Sequence, residues 1–377
     1  MNHCGSPLAP SSARVFGRNA AVLIVALLAR ACAASAQPAE PLPLIGTIDL
    51  SHYLFSTTAP DAAVVGLVAA RTLVTARSDP DGKATLDLWN VETGRVTASI
   101  LAPTPIDPAS VAMSPDGKRL LAVQSVGEAP VPVYYPNRVY VWDVATRRLS
   151  RTIDFGPGVE ASGAFFDQNN SEQAIVTVNA PLDASEDGRF VRVDLRNGRQ
   201  GRPVPYRYAA YLWAPSVLFS PDGKLLLGIY ASSGQHPGGS LDVFDATTLH
   251  PVASFDARGG PGVVTGPAYF IDSHRAAVGS LLYDTRSQQG TRLLSRHPGR
   301  YFLAGIPGRR GYGLFVSGEG MELWNMVEQT MTTCWDLPLA PPDPKLHWPA
   351  AHIMPSAAYV SPDGKELCFL AGGTVRT

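Results

Sequence analysis

Four of the eight histidines, two acidic turns and a group of loop aromatics are the residues of this 377-residue chain whose types suit chemistry. His347 and His352 stand close together in an irregular, proline-rich stretch, with His236 and His297 elsewhere. Metal ligation needs imidazoles that converge on one point. This spacing imposes no convergence, so solvated or capping histidines are expected and no metal site is assigned. Asp79-Pro80-Asp81-Gly82 and Glu186-Asp187-Gly188 look like calcium loops but lack the further oxygen ligands such a site requires, so plain hairpin turns are expected. The chain has no C-x-x-C, H-E-x-x-H, P-loop, G-x-S-x-G or heptad run. Catalytic residues stay unassigned and no cofactor is expected; without a c-type haem attachment motif, a redox role would borrow its centre from a partner or a noncovalent cofactor.

The elements that must position these residues follow from composition and repetition. With 45% hydrophobic and 17% charged residues and a formal charge of −1, the chain is neither a disordered tail, a collagen-like fibre nor a strongly basic nucleic-acid binder. Its 35 Gly and 33 Pro suit many short strands joined by tight turns. Ser-Pro-Asp-Gly-Lys occurs at 114–118, 220–224 and 361–365, each time between two short apolar runs. That is a strand, a turn and a strand: Pro presets φ, Asp bonds its own backbone and Gly takes the positive φ. A second signal is an aromatic or apolar residue followed by Asp or Asn before a polar turn: Trp89-Asn90, Trp142-Asp143, Val193-Asp194, Phe244-Asp245, Tyr283-Asp284 and Trp324-Asn325. Their spacings of 53, 51, 51, 39 and 41 residues, with an apolar strand after each turn, predict units of four short antiparallel strands. The unit near residues 260–294 is compressed around Gly279-Ser280.

These residues resemble the WD-repeat and YVTN-type β-propeller superfamily over nearly the whole chain after its N-terminal segment. Trp142-Asp143 alone reproduces the WD dipeptide in full, and the Gly-His pair that usually opens a WD repeat is absent. The resemblance implies an all-β, seven-bladed β-propeller of four-stranded antiparallel blades and says nothing of activity. The last unit, 352–377, carries a first strand, a second (ELCFLAG) and a third (TVRT), but no fourth. Leu44-Ile45-Gly46-Thr47-Ile48-Asp49-Leu50 is similar to the fourth strand Arg151-Thr152-Ile153-Asp154-Phe155, so residues 44–50 are expected to complete the last blade and close the ring.

Arg14 and Arg18 precede the apolar run from Ala20 to Ala29, and Ala34-Ser35-Ala36 follows: the n-region, h-region and cleavage site of a signal peptide spanning residues 1–36. The run is short of the ~20 residues a membrane span requires, so no transmembrane span is expected in the mature chain. Ala29-Arg30-Ala31 before Cys32 lacks the apolar residue expected before a lipidated cysteine. Export to the periplasm or the extracellular space is the expected localisation, with residues 37–377 a single propeller domain. Cleavage would remove three arginines and no carboxylate, leaving a charge of −4 and no reason to seek nucleic acid. Cys334 and Cys368 then remain, as one disulfide or as two buried thiols on neighbouring strands.

In a propeller, the connections between second and third strands share a face with those between blades. Here several are long, and they carry Tyr134, Tyr135, Arg138, Tyr206, Tyr208, Tyr211, Trp213, His236 and Trp348. Tyr, Trp and Arg anchor interfaces more often than other residues. The alternative is that they pack over the blade tops as covers. The expected function is a non-catalytic exported propeller that binds a protein or extracellular ligand through this long-loop face. The alternative is an enzyme or enzyme subunit, a lactonase-like hydrolase or a quinone- or haem-linked oxidoreductase component. That reading needs loop residues such as Asp107, Glu128, Arg138, Glu160, Arg207, Asp256 and His297 to converge at a channel mouth.

Overall fold

Ser-Pro-Asp-Gly closes the same turn at both places where it is described. Ser114 Oγ donates to Asp116 Oδ1 (2.6 Å) and accepts from the Arg119 N–H (2.9 Å), while Gly117, at φ 69°, donates its N–H to the Ser114 carbonyl (2.9 Å). Ser220, Asp222, Leu225 and Gly223, at φ 67°, repeat these bonds at 2.7, 2.9 and 2.8 Å. Only glycine takes that φ without a Cβ penalty, which is why both turns end in Gly. The computed structural model of the protein describes residues 21–27, 44–49, 61–69, 72–78, 83–107, 110–125, 137–179, 188–206, 216–230, 240–256, 268–278, 281–292, 300–306, 309, 311–316, 320–335, 354–360 and 366–372; the third copy of the turn lies outside them.

The architecture is all-β, and the described strands form seven antiparallel sheets. Two strands come early in the chain, β1 (Ala21–Leu27) and β2 (Leu44–Asp49). The next sheet is β3 (Asp61–Ala69), β4 (Thr72–Ser78), β5 (Ala84–Asn90) and β6 (Arg95–Leu101). It is followed by β7 (Ala112–Met113), β8 (Arg119–Val123), β9 (Arg138–Asp143) and β10 (Arg148–Asp154). The third consecutive sheet holds β11 (Glu160–Asp167), β12 (Asn170–Asn179), β13 (Gly188–Asp194) and β14 (Arg199–Gln200), with β15 (Val204–Tyr206) also paired to β13. Then come β16 (Ser216–Phe219), β17 (Leu225–Tyr230), β18 (Ser240–Asp245) and β19 (Pro251–Asp256). The compressed unit still makes four strands, β20 (Ala268–Phe270), β21 (Arg275–Val278), β22 (Leu281–Asp284) and β23 (Gln289–Arg292). The sixth is β24 (Tyr301–Gly305), β25 (Tyr312–Val316), β26 (Met321–Asn325) and β27 (Thr330–Trp335).

The remaining sheet joins β28 (Met354–Val360) and β29 (Glu366–Gly372) to the two early strands, in the order β28, β29, β1, β2. Leu44–Asp49 therefore sits at the fourth position beside the late strands. The third position, which the repeat assigns to residues 374–377, is held by the apolar run Ala21–Leu27, paired with β29 from Ala21↔Gly372 to Leu27↔Glu366. A stretch of apolar and β-branched residues is as good a central strand as it is an h-region, and sequence pattern does not separate the two uses. Residues 374–377 lie outside the described residues.

In all six consecutive sheets the turn from third to fourth strand is built by the Asp or Asn of the second repeat signal. The side-chain oxygens of Asn90, Asp143, Asp194, Asp245, Asp284 and Asn325 accept backbone N–H bonds from two or three residues on, at 2.7 to 3.0 Å. Four residues after each stands a left-handed residue: Gly94, Arg147, Gly198, Leu249, Gln288 and Gln329, with φ between 54° and 77°. The Asp or Asn thus mimics a backbone turn, and the chain reverses after it.

Apolar cores lie between successive sheets. Trp142, Tyr140, Leu86 and Ile100 pack β3–β6 against β7–β10; Val141, Ile153, Phe166 and Val176 join β7–β10 to β11–β15. Phe190, Tyr206, Phe219 and Phe244 form the next contact, Phe255, Phe270 and Tyr283 the one after, and Phe302, Phe315, Trp324 and Ile271 the one after that. First strands also touch: β3 with β7, β7 with β11, β16 with β20, β20 with β24, β24 with β28 and β28 with β3.

Candidate functional site

Antiparallel order gives every consecutive sheet two unlike ends. One end carries the first-to-second and third-to-fourth strand turns, which are short and internally hydrogen-bonded. The other carries the second-to-third strand connections and the passage to the next sheet, and the long stretches 126–136, 180–187, 207–215, 231–239 and 336–353 all belong to it. Tyr134, Tyr135, Tyr208, Tyr211, Trp213, His236 and Trp348 lie in these stretches, and they fall outside the described residues, as His297, His347, His352, Glu128, Arg207 and both acidic turns apart from Gly188 also do.

The described residues at this end are held in separate pairs. Arg138, at the start of β9, donates from Nε to Asp154 Oδ2 at the end of β10 (3.2 Å), and the carboxylate raises the guanidinium above its ordinary value. Asn137 Nδ2 donates to the Gly156 carbonyl (3.0 Å), tying the same corner. Glu160 opens β11 and accepts from Asn179 Nδ2 (3.2 Å) at the end of β12. Asp107 and Ser110 close a short turn before β7, where Ser110 Oγ donates to the Asp107 carbonyl (2.7 Å). Arg138 and Glu160 are thus engaged within their own sheets. No group of three or more potential metal ligands occurs among the described residues.

Tyr206 belongs to the core. It is 3% exposed, its ring stacks on Phe190 with centroids 4.4 Å apart, and burial pushes its phenol up. Gly188 makes room for it, since a Cβ there would fall 2.4 Å from the tyrosine ring. The packing role weighed for the loop aromatics is the one this residue takes.

Sequence inspection missed a set of buried acids in the third strands. Asp87, Asp242 and Glu322 are 4%, 4% and 1% exposed, and each stands three residues before the turn Asn or Asp. The signal was there in Leu-Asp-Leu-Trp-Asn, Leu-Asp-Val-Phe-Asp and Met-Glu-Leu-Trp-Asn. Asp87 accepts from Ser99 Oγ, its register partner on β6, and pairs with Arg77 (3.4 Å). Asp242 likewise faces Ser254 in register. Glu322 Oε2 accepts from Arg300 Nε and Trp324 Nε1, both at 2.6 Å, and the Arg300 guanidinium lies 5.4 Å over the Trp324 ring. Asp87 and Glu322 thus sit in buried pairs with an arginine, a structural use of charge.

Cys334 lies on β27 and Cys368 on β29, in different sheets.

No family model matches the chain, and no curated protein matches it. Among solved structures, the chain is similar to the β-propeller domain of Cps50 (Swd1) from Myceliophteria thermophila, with a TM-score of 0.46 and 14% identity over 74% of this chain and 87% of that one.

Proposed function

We propose that the chain is an exported, non-catalytic seven-bladed β-propeller that binds a protein or extracellular ligand on the face carrying its long connections. Seven sheets of like topology, apolar cores between successive ones, and the contacts β24 with β28 and β28 with β3 support a ring whose last blade shares strands from both chain regions. The observation that carries the binding reading is the inequality of the two sheet ends. In the six consecutive sheets, one is spent on short turns such as those closed by Ser114, Ser220 and the Asp and Asn side chains; the other holds their long connections and most of the chain's loop Tyr and Trp. Variable loops on a rigid repeat scaffold are where such folds place recognition.

Export, on this reading, removes residues 1–36 and with them β1. The binding reading is tested by affinity capture with the mature protein from its own periplasmic or extracellular fraction. The expected result is one stoichiometric partner, lost when Tyr134, Tyr135, Tyr211 and Trp213 are replaced by Ala. A partner retained by that variant removes the long-connection face from the account.

A further inference from the structure

Away from that face, the outer rim where two neighbouring sheets meet is strongly basic. Residues 143–154 and 192–202 contain seven arginines and three aspartates, in a chain whose formal charge is −1. The two segments form one surface. Arg151 Nη2 donates to the Arg196 carbonyl (2.5 Å), Gln200 Nε2 donates to the Asp154 carbonyl (2.8 Å), and Gly198 lies against the Arg151 side chain.

The nearby carboxylates are already engaged. Asp143 accepts from the Thr146 N–H and hydroxyl (2.7 and 2.8 Å), Asp154 from Arg138, and Asp194 from Arg196, whose guanidinium holds that carboxyl down at about 2. Arg192 turns inward to Asp167 (2.7 Å). Arg147, Arg148, Arg199 and Arg202 are exposed, and none makes an ion pair with a described residue. The other outer strands lack such a group: β6 has Arg95 alone, β23 has Arg292 alone, and β2, β19 and β27 have no basic residue. Arginines that merely keep a sheet edge from pairing would be spread over every outer strand. These are concentrated at one seam.

We propose that this seam, formed by β10, the turn 195–198 and β14, docks an acidic, extended polypeptide segment. Guanidinium forks match carboxylates two bonds at a time. The outer edges of β10 and β14 also offer main-chain groups that an extended peptide can pair with and a polysaccharide cannot. The occupant is therefore a stretch rich in Asp or Glu, held at a place separate from the long-connection face.

The test is fluorescence-anisotropy titration of the full chain with labelled dodecaglutamate at low ionic strength, about 50 mM salt, and again near 0.3 M. Wild type is expected to bind, with affinity falling steeply as salt rises. The R148Q/R199Q/R202Q variant should bind at least about tenfold more weakly, each lost charge-assisted contact contributing a few-fold. The control R95Q/R286Q, on other rims, should bind as wild type does, and thermal melts of both variants should match wild type to show that the fold is kept. Absence of dodecaglutamate binding, equal binding by the triple variant, or binding of dextran sulfate without binding of dodecaglutamate would each overturn the proposal.

Discussion

The sheet β7–β10 and the sheet β28–β29–β1–β2 have the same number of strands and the same antiparallel pairing, but opposite origins. The first is a continuous stretch of chain whose first-to-second and third-to-fourth strand turns are closed by their own side chains, as Ser114 and Asp143 show. The second pairs Ala21 with Gly372 and Val25 with Cys368, so it joins segments from opposite ends of the sequence. Local turns make the consecutive sheets quick to form, whereas joining distant segments carries the loop-closure entropy of everything between. The difference teaches where each sheet is vulnerable. Consecutive sheets fail through their cores, and the mixed sheet fails through its partners.

Substitutions of three kinds probe that contrast, all of them confined to the consecutive sheets. Trp142, fully buried between β3–β6 and β7–β10, is the largest. Trp142→Ala should lower unfolding free energy by about 3–5 kcal/mol in urea titrations, by a similar amount with or without the N-terminal strands. A cost that vanishes when those strands are removed would mean the two regions do not fold independently. Next is Arg300→Met, which strands the buried Glu322 carboxylate without its cation; the expected loss is about 3 kcal/mol, and Arg300→Met/Glu322→Met should recover much of it. A double variant no more stable than the single would show that the pair is not what holds β26 in place.

Smallest is the Ser-Pro-Asp-Gly turn. Ser114→Ala and Ser220→Ala should each cost roughly 1 kcal/mol, and by equal amounts, because their bonds are the same. Burial raises the Asp116 and Asp222 carboxyls, but bonds from the serine hydroxyls and the Lys118 and Lys224 N–H groups outweigh it, so both lie below the usual 3.8. A depressed folded value means that stabilisation is present above about pH 4 and is lost as pH falls through the folded value. The penalty of each Ser→Ala change should therefore shrink in melts recorded toward about pH 2.

What sequence alone made legible divides along the same line. The Ser114 and Ser220 turns and the six Asp or Asn turns were readable because a turn's chemistry lies within five residues. The strand Leu44–Asp49 was readable from its likeness to 151–155, which needs no knowledge of its neighbours. The pairing of Ala21–Leu27 with β29 was not, because an apolar run that reads as an export segment carries no local sign that it can also pair as a strand. Tyr206 was read as a surface anchor because nothing local announces that Gly188 leaves it a buried berth. Asp87, Asp242 and Glu322 were passed over because an acid inside a strand looks solvent-facing until its cross-strand partner is known. The arginine seam escaped notice for a related reason: its two halves are separated in sequence and meet only through Arg151, Arg196 and Gln200.

Strand 44–49 shares a sheet with β28 and β29, and on the proposed reading it closes the ring. Thermal unfolding of the full chain, compared with one beginning at Thr58, tests it most directly. The shorter chain is expected to melt at least roughly 10 °C lower, because β1 and β2 and their pairing with each other and with β29 are lost. Identical melting of the two chains would contradict it.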